Sequence, residues 1–352
     1  MPDERLDADE LIALVRHVFA PTPEDRGLAL LVDLPDSRLP DNPEWAARRL
    51  MVADWATMLA GRRDALGLDV SLYAYRNVVT NNAELPASMT RVEPAKLPAD
   101  AGGLDPGAAE PTEQVLSSHS LLIAPTQLSA TAPLKLLAKV HGFRAATMPG
   151  FAPSMIPALR LDYGEVRRRV RVLKDLLDLA MRAELAFEVD GRQTHLLTLD
   201  LRHRSAHASD GVLDEPGTAG NVPSGEAYIV PYEGEIPGHP SGSTGVLPVQ
   251  FGRDLVLFHV EANRAVRVTG EGNATAIQAG YLAREPAYGN IAELGLGVLA
   301  GLGVQPVGAI LLDEKLGLHV AFGRSDHFGG QVGPWAFSGP DAVVHVDRKS
   351  VV

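Results

Sequence analysis

Residues 163–182 carry the clearest helical pattern in the chain, and the texture of the sequence changes across them. Val166, Val170, Leu173, Leu177 and Ala180 recur at spacings of four, three, four and three, which places them on one apolar stripe. Before this helix, short apolar runs at 28–33, 68–75, 120–124 and 143–147 alternate with helical stretches at 9–19, 44–63 and 133–141. Strands spaced by helices predict a parallel α/β layer. The stretch 94–111, rich in Pro, Gly, Ala and Asp, is expected to be a surface loop. After the helix, strand-like runs and tight turns take over. Asp190-Gly191 within 187–200 reads as a hairpin turn, as does Glu261-Ala262-Asn263-Arg264 between 255–260 and 265–268. A short helix is expected at 274–284. Segments 308–312 and 318–322 are expected to pair about 313–317, and 342–347 to form a last strand. The expected class is α/β (α+β), with an N-terminal α/β domain at 1–160 and a β-rich, site-bearing domain at 161–352.

Composition narrows the chemistry. The 352 residues are 45% hydrophobic, enough for a substantial core, and contain no cysteine. Disulfides, thiolate metal sites and cysteine nucleophiles are thereby excluded together, so any metal must be held by carboxylates and imidazoles. A net charge of −12 argues against a nucleic-acid partner. The one basic cluster, Arg167-Arg168-Arg169 with Arg171, falls on the predicted helix and reads as a solvated face. No apolar run approaches the ~18 residues of a membrane span. The opening Met1-Pro2-Asp3-Glu4-Arg5 lacks a signal peptide's layout, so a cytoplasmic location is expected.

Four segments in the second half set ionisable residues beside glycine turns or inside strands. They are Asn221-Val222-Pro223-Ser224-Gly225-Glu226, Ala292-Glu293-Leu294-Gly295-Leu296-Gly297, Asp313-Glu314-Lys315 leading to His319-Val320-Ala321-Phe322-Gly323, and His345-Val346-Asp347. Side chains alternate across a strand, so His345 and Asp347 share a face and can reach one cation. A buried lone carboxylate is costly unless paired or metal-bound, and several converging on two histidines suggest divalent metal. Taken singly, each feature also has a plainer reading: a hydrogen-bonded strand histidine, an exposed edge, a carboxylate capping a turn. Dinucleotide, phosphate-loop, HExxH and GxSxG patterns are absent. The neighbours Ser118-His119 and Ser205-Ala206-His207 are assigned as loop residues.

In order and approximate spacing, the four segments resemble the aminopeptidase T / PepS family of metallopeptidases. The first 160 residues resemble it only in α/β texture. The resemblance implies two divalent ions, zinc, cobalt or manganese, held by Glu226, Glu293, His319, His345 and Asp347, with Glu293 bridging. Two cations sharing a water would lower its pKa and polarise the scissile carbonyl. Glu293 or Glu314 would serve as general base. The implied substrate is a peptide with a free N-terminus, and the implied assembly a homodimer. The chain departs from the family at Asp326-His327, where a tyrosine is usual, and in stopping five residues after Asp347.

Two other functions stay open on this reading. Some relatives resemble mononuclear iron enzymes that open hydroxylated pyridine rings with oxygen, and His319, His345 and Asp347 would suit Fe(II). A non-catalytic protein binding peptide in a tailoring pathway is the third.

Overall fold

The computed structural model describes residues 4–339 and 342–349, which pack into two compact units. The first comprises Met1–Arg167, Gly211–Ser224 and Val304–Asp313, and the second Arg168–Asp210, Gly225–Gly303 and Glu314–Val352. The class is α/β. No helix among the described residues is long and apolar enough to cross a membrane.

The first unit is built on the strand Leu28–Leu34, every residue of which is buried. A strand apolar on both faces must be covered on both, and it lies inside a mostly parallel seven-stranded sheet. Val70–Arg76 pairs with it in parallel on one side and Leu121–Ala124 on the other. Arg144–Thr147 and the short strand Ala219–Asn221 extend the parallel portion. Helix Ala8–Phe19 starts at a reciprocal capping box between Asp7 and Glu10 and buries Leu11, Leu14, Val15 and Val18. Helix Pro43–Gly61, capped by Asn42, buries Trp45 and Trp55. The stretch expected as a loop at 94–111 is broken into three single 3₁₀ turns and ends in an edge strand, Ala109–Pro111. That strand pairs with Ser88–Val92, which the sequence reading missed. Pro111 sits at an outer edge, where a missing N–H is harmless.

The second unit holds two antiparallel five-stranded sheets. In one, Arg182–Val189 and Gln193–Asp200 form the Asp190-Gly191 hairpin, with both turn residues at positive φ. Thr244–Phe251, Asp254–Glu261 and Arg264–Gly270 complete it. The helix Tyr163–Leu179 stops short of residue 182, which already belongs to the first strand of that hairpin. In the other sheet, His207–Ser209, Glu226–Ile229, Ile291–Gly297, Leu318–Gly323 and His345–Lys349 lie side by side. Phe322 from this sheet and Phe258 from the other meet with ring centroids 4.9 Å apart.

One expected pairing is wrong. Segment 308–312 is not a strand beside 318–322: Ile310–Asp313 is a helical turn, followed by the 3₁₀ turn Glu314–Leu316. The Asp313 carboxylate accepts from the backbone N–H of Val307 (2.8 Å) and Gly308 (3.0 Å), closing the segment on itself. Leu318–Gly323 takes its partners from Ile291–Gly297 and His345–Lys349.

Candidate metal centre

Cross-strand partners share a face of a sheet, and here register assembles the site. Glu226 lies opposite Gly297 and Tyr228 opposite Gly295. Gly295 lies opposite His319, and Glu293 opposite Ala321. Ala321 lies opposite Asp347, and Gly323 opposite His345. One face therefore carries Glu226, Tyr228, Glu293, His319, His345 and Asp347 around Gly295, Gly297, Ala321 and Gly323. The opposite face is apolar, with Ala227, Ile229, Leu294, Val320 and Phe322 buried.

The small residues make the hollow. A Cβ on Gly295 would lie 2.0 Å from Cε1 of His319, so the imidazole lies across a position that only glycine leaves open. A Cβ on Gly297 would meet the Lys315 backbone at 2.2 Å. That close passage is locked by hydrogen bonds from Gly297 N–H to the Gly317 carbonyl and from Leu299 N–H to the Lys315 carbonyl, each 2.9 Å. It brings Lys315 under the cluster.

All five residues expected as ligands come together. The two oxygens of Glu293 are divided between the imidazoles: Oε1 is 3.4 Å from His319 Nε2, and Oε2 is 3.3 Å from His345 Nε2. Glu226 Oε2 lies 3.4 Å from His319 Nε2, and Asp347 Oδ1 3.9 Å from His345 Nε2. Two donor groups result, Glu226–Glu293–His319 and Glu293–His345–Asp347, and Glu293 belongs to both. The set His319, His345 and Asp347 is not among these groups. Each imidazole is oriented from behind. His345 Nδ1 donates to the Arg324 carbonyl at 2.7 Å, and His319 Nδ1 faces the Gly317 carbonyl at 3.5 Å. A backbone carbonyl on Nδ1 leaves Nε2 as the nitrogen turned to the carboxylates, as a metal ligand requires.

Lys315 is the residue at this site that the search for ligands passed over, although it was quoted within Asp313-Glu314-Lys315. Its ammonium is buried, donating to Glu226 Oε1 and, at 2.5 Å, to Glu314 Oε1. Glu226 is thereby held by one oxygen, while its other, Oε2, is buried with no hydrogen-bond partner. A buried acceptor left in that state is costly and points to a cation beside it. Four carboxylates gather here: Glu226 and Glu314 share the Lys315 ammonium, and Glu293 and Asp347 stand at the imidazoles. Such a cluster must recruit protons or metal.

The titration behaviour follows from this imbalance. Burial pushes Glu226 and Glu314 upward, against the pull of Lys315. Burial opposes the charge on Lys315 as well, but the two carboxylates outweigh it and hold the ammonium far above its ordinary range. His319 and His345 are each raised to about 9, because Glu293 between them outweighs the cost of burial. Glu293 is held well below the usual carboxylate range despite burial, through its bonds to both imidazoles.

The fold is shared with solved structures. A 2,5-dihydroxypyridine dioxygenase from Pseudomonas putida KT2440 superposes with a TM-score of 0.63 at 15% identity, covering 97% of this chain and 92% of that one. Wild-type AmpT from Thermus thermophilus superposes with a TM-score of 0.55 at 14% identity and the same coverage. At these identities the likeness is one of fold. No protein-family model matches the sequence, and a search of curated proteins finds no match.

Two further residues escaped the sequence reading. His207, assigned to a loop, lies in a strand and stacks on Tyr228 at 5.1 Å. Phe328 packs edge-on against both Tyr228 (4.9 Å) and His345 (5.4 Å). Only the period-2 relation of Glu226 to Tyr228 was visible in sequence as a signal. Asp326 binds Arg324 at 2.5 Å, and the His327 ring packs across His345 at 5.2 Å. In the first unit, a hollow of about 640 Å³ is lined by Ala56, Leu72, Arg91 and Glu110. It gathers no set of converging carboxylates and imidazoles, so it is not the candidate site.

Proposed function

We propose that this chain is a metal-dependent amide hydrolase acting on peptides with a free N-terminus, with two divalent ions held on the sheet face described above. The observation that carries the reading is the division of Glu293, whose two oxygens face two different donor groups. A bridging carboxylate serves two ions, and a single-ion site has no use for that division. The set suggested for a mononuclear iron centre, His319, His345 and Asp347, is not one of the donor groups, which favours hydrolysis over ring cleavage.

Glu226 and His319 would hold one ion, His345 and Asp347 the other, and Glu293 both. Paired zinc, cobalt or manganese ions would polarise the substrate carbonyl and acidify the attacking water. The chain's own residues supply the rest. Lys315 fixes Glu226 through one oxygen and leaves the other for the ion. Glu314, the carboxylate outside both donor groups and bonded to Lys315, would take the proton from the attacking water and pass it to the leaving amine. The fold relationship to AmpT agrees with this reading without deciding it. A homodimer is proposed on the family resemblance alone.

The test is metal content by plasma mass spectrometry on protein purified without an affinity metal, for wild type, Glu293→Ala and His345→Ala. Two zinc, cobalt or manganese ions per wild-type chain, reduced in both variants, with chelator-sensitive release of amino acids from peptides, is the expected outcome. One iron per chain with oxygen uptake on an aromatic substrate would replace the hydrolase by an oxygenase. No metal after reconstitution would leave a binding scaffold.

A further inference from the structure

Tyr228 stands two residues beyond Glu226 on one strand, so both side chains leave the same face of the sheet. It lies opposite Gly295, which lies opposite His319. Because Gly295 carries no side chain and the His319 ring reaches across it, nothing on that row separates the tyrosine from the metal-ligand set. On its other flank Tyr228 stacks on His207 with rings 22° apart, and the edge of its contact with Phe328 continues to His345.

The phenol is therefore held by ring contacts. Tyr228 is 9% exposed, and among the described residues its hydroxyl has no hydrogen-bond partner. Unlike Glu226 Oε2, this hydroxyl is not among the fully buried atoms left without a partner, so the donor stays open to what enters the site. Of the nearby carboxylates, Glu226 gives one oxygen to Lys315 and Glu293 faces the two imidazoles, and neither accepts from Tyr228. An O–H donor kept unspent beside the donor groups is positioned for an acceptor that arrives from outside.

We propose that Tyr228 is a catalytic residue that donates a hydrogen bond to the oxygen on which charge develops when a substrate carbonyl is attacked. This rests on the hydrolase reading above. As the water oxygen bonds to the carbonyl carbon, the π electron pair moves onto the carbonyl oxygen. Tyr228 stabilises that oxyanion while keeping its own proton. Glu314 accepts the proton released by the water. Collapse of the oxyanion re-forms C=O and breaks the C–N bond, and the departing amine takes the proton from Glu314. Water and amide are consumed, a carboxylic acid and an amine are formed, and nothing is oxidised.

The test is Tyr228→Phe in the full-length, metal-loaded protein, because phenylalanine keeps the ring contacts and removes only the donor. Metal content is expected to equal that of wild type. On an amino-acid p-nitroanilide, kcat is expected to fall about 10²-fold or more with KM within a few-fold, the pattern of a lost oxyanion donor. A second readout needs no turnover: inorganic phosphate, a small tetrahedral oxyanion, is expected to bind about tenfold more weakly to the variant by calorimetry. Unchanged kcat and unchanged phosphate affinity would overturn the proposal. So would loss of metal from the variant, which would make Tyr228 a support of the ligand set, or failure of phosphate to bind the wild type. Should the wild type cleave no amide while phosphate binding still weakens in Tyr228→Phe, the hydrolase reading falls and the anion-donor role of Tyr228 stands.

Discussion

Lys315 shows how much of this site depends on one side chain. Its ammonium neutralises two buried carboxylates, one a candidate ligand and the other the candidate base. Breaking a buried ion pair from one side costs far more than the pair contributes, because the abandoned charge stays in place. Lys315→Met is therefore predicted to destabilise the metal-free protein by about 3–5 kcal/mol, measured by denaturant unfolding with chelator present. Metal should restore part of the loss, since a cation bound only by the folded state stabilises it by mass action. A loss under about 1 kcal/mol would mean that Glu226 and Glu314 are solvated, and the account given for Lys315 would be wrong.

At the level of elements, the site is made by strands that place small residues where their neighbours need room. Gly295 is the clearest case: its φ is unremarkable, and glycine is required by the close approach of His319 rather than by backbone conformation. Gly295→Ala is predicted to leave the sheet intact but turn the imidazole away from Glu293. Metal affinity should drop at least about tenfold, as when ligand orientation is disturbed elsewhere. Competitive titration with a chromophoric chelator would measure it, with unfolding curves as the control. Equal affinity in variant and parent would show that the ring has room to spare.

For the whole molecule, the pH dependence of folding is predicted to come partly from the first unit. Arg144, on the strand Arg144–Thr147, binds Asp25 at 2.5 Å, with both side chains almost fully buried. Burial raises the Asp25 pKa, but the Arg144 contact and the Thr22 N–H together hold it below its ordinary 3.8. A carboxylate depressed in the folded state adds stability above its unfolded pKa and loses it as pH falls through the folded value. Asp25→Asn should therefore lower stability at neutral pH by about 3 kcal/mol. It should also flatten the decline between pH 4 and 2. Urea midpoints across that range decide it: parallel curves for variant and parent would exclude Asp25 as a source of acid sensitivity.

Much of this was legible in sequence, for reasons that are local. The buried strand at 28–34, the helix that follows it and the Asp190-Gly191 turn are written in periodicity and turn chemistry, which neighbours along the chain can express. His345 and Asp347 could be placed on one face because strand alternation is also a local rule. The false pairing of 308–312 arose where that logic fails, since a short apolar run fits helix or strand equally and the Asp313 cap chose between them. The division of Glu293 between two imidazoles, the Lys315 ammonium beneath Glu226 and the unpaired Tyr228 hydroxyl depend on the register of strands far apart in sequence. Register is set by hydrogen bonding and packing between segments, so the candidate ligand types belong to the sequence and their convergence on one face to the tertiary structure alone.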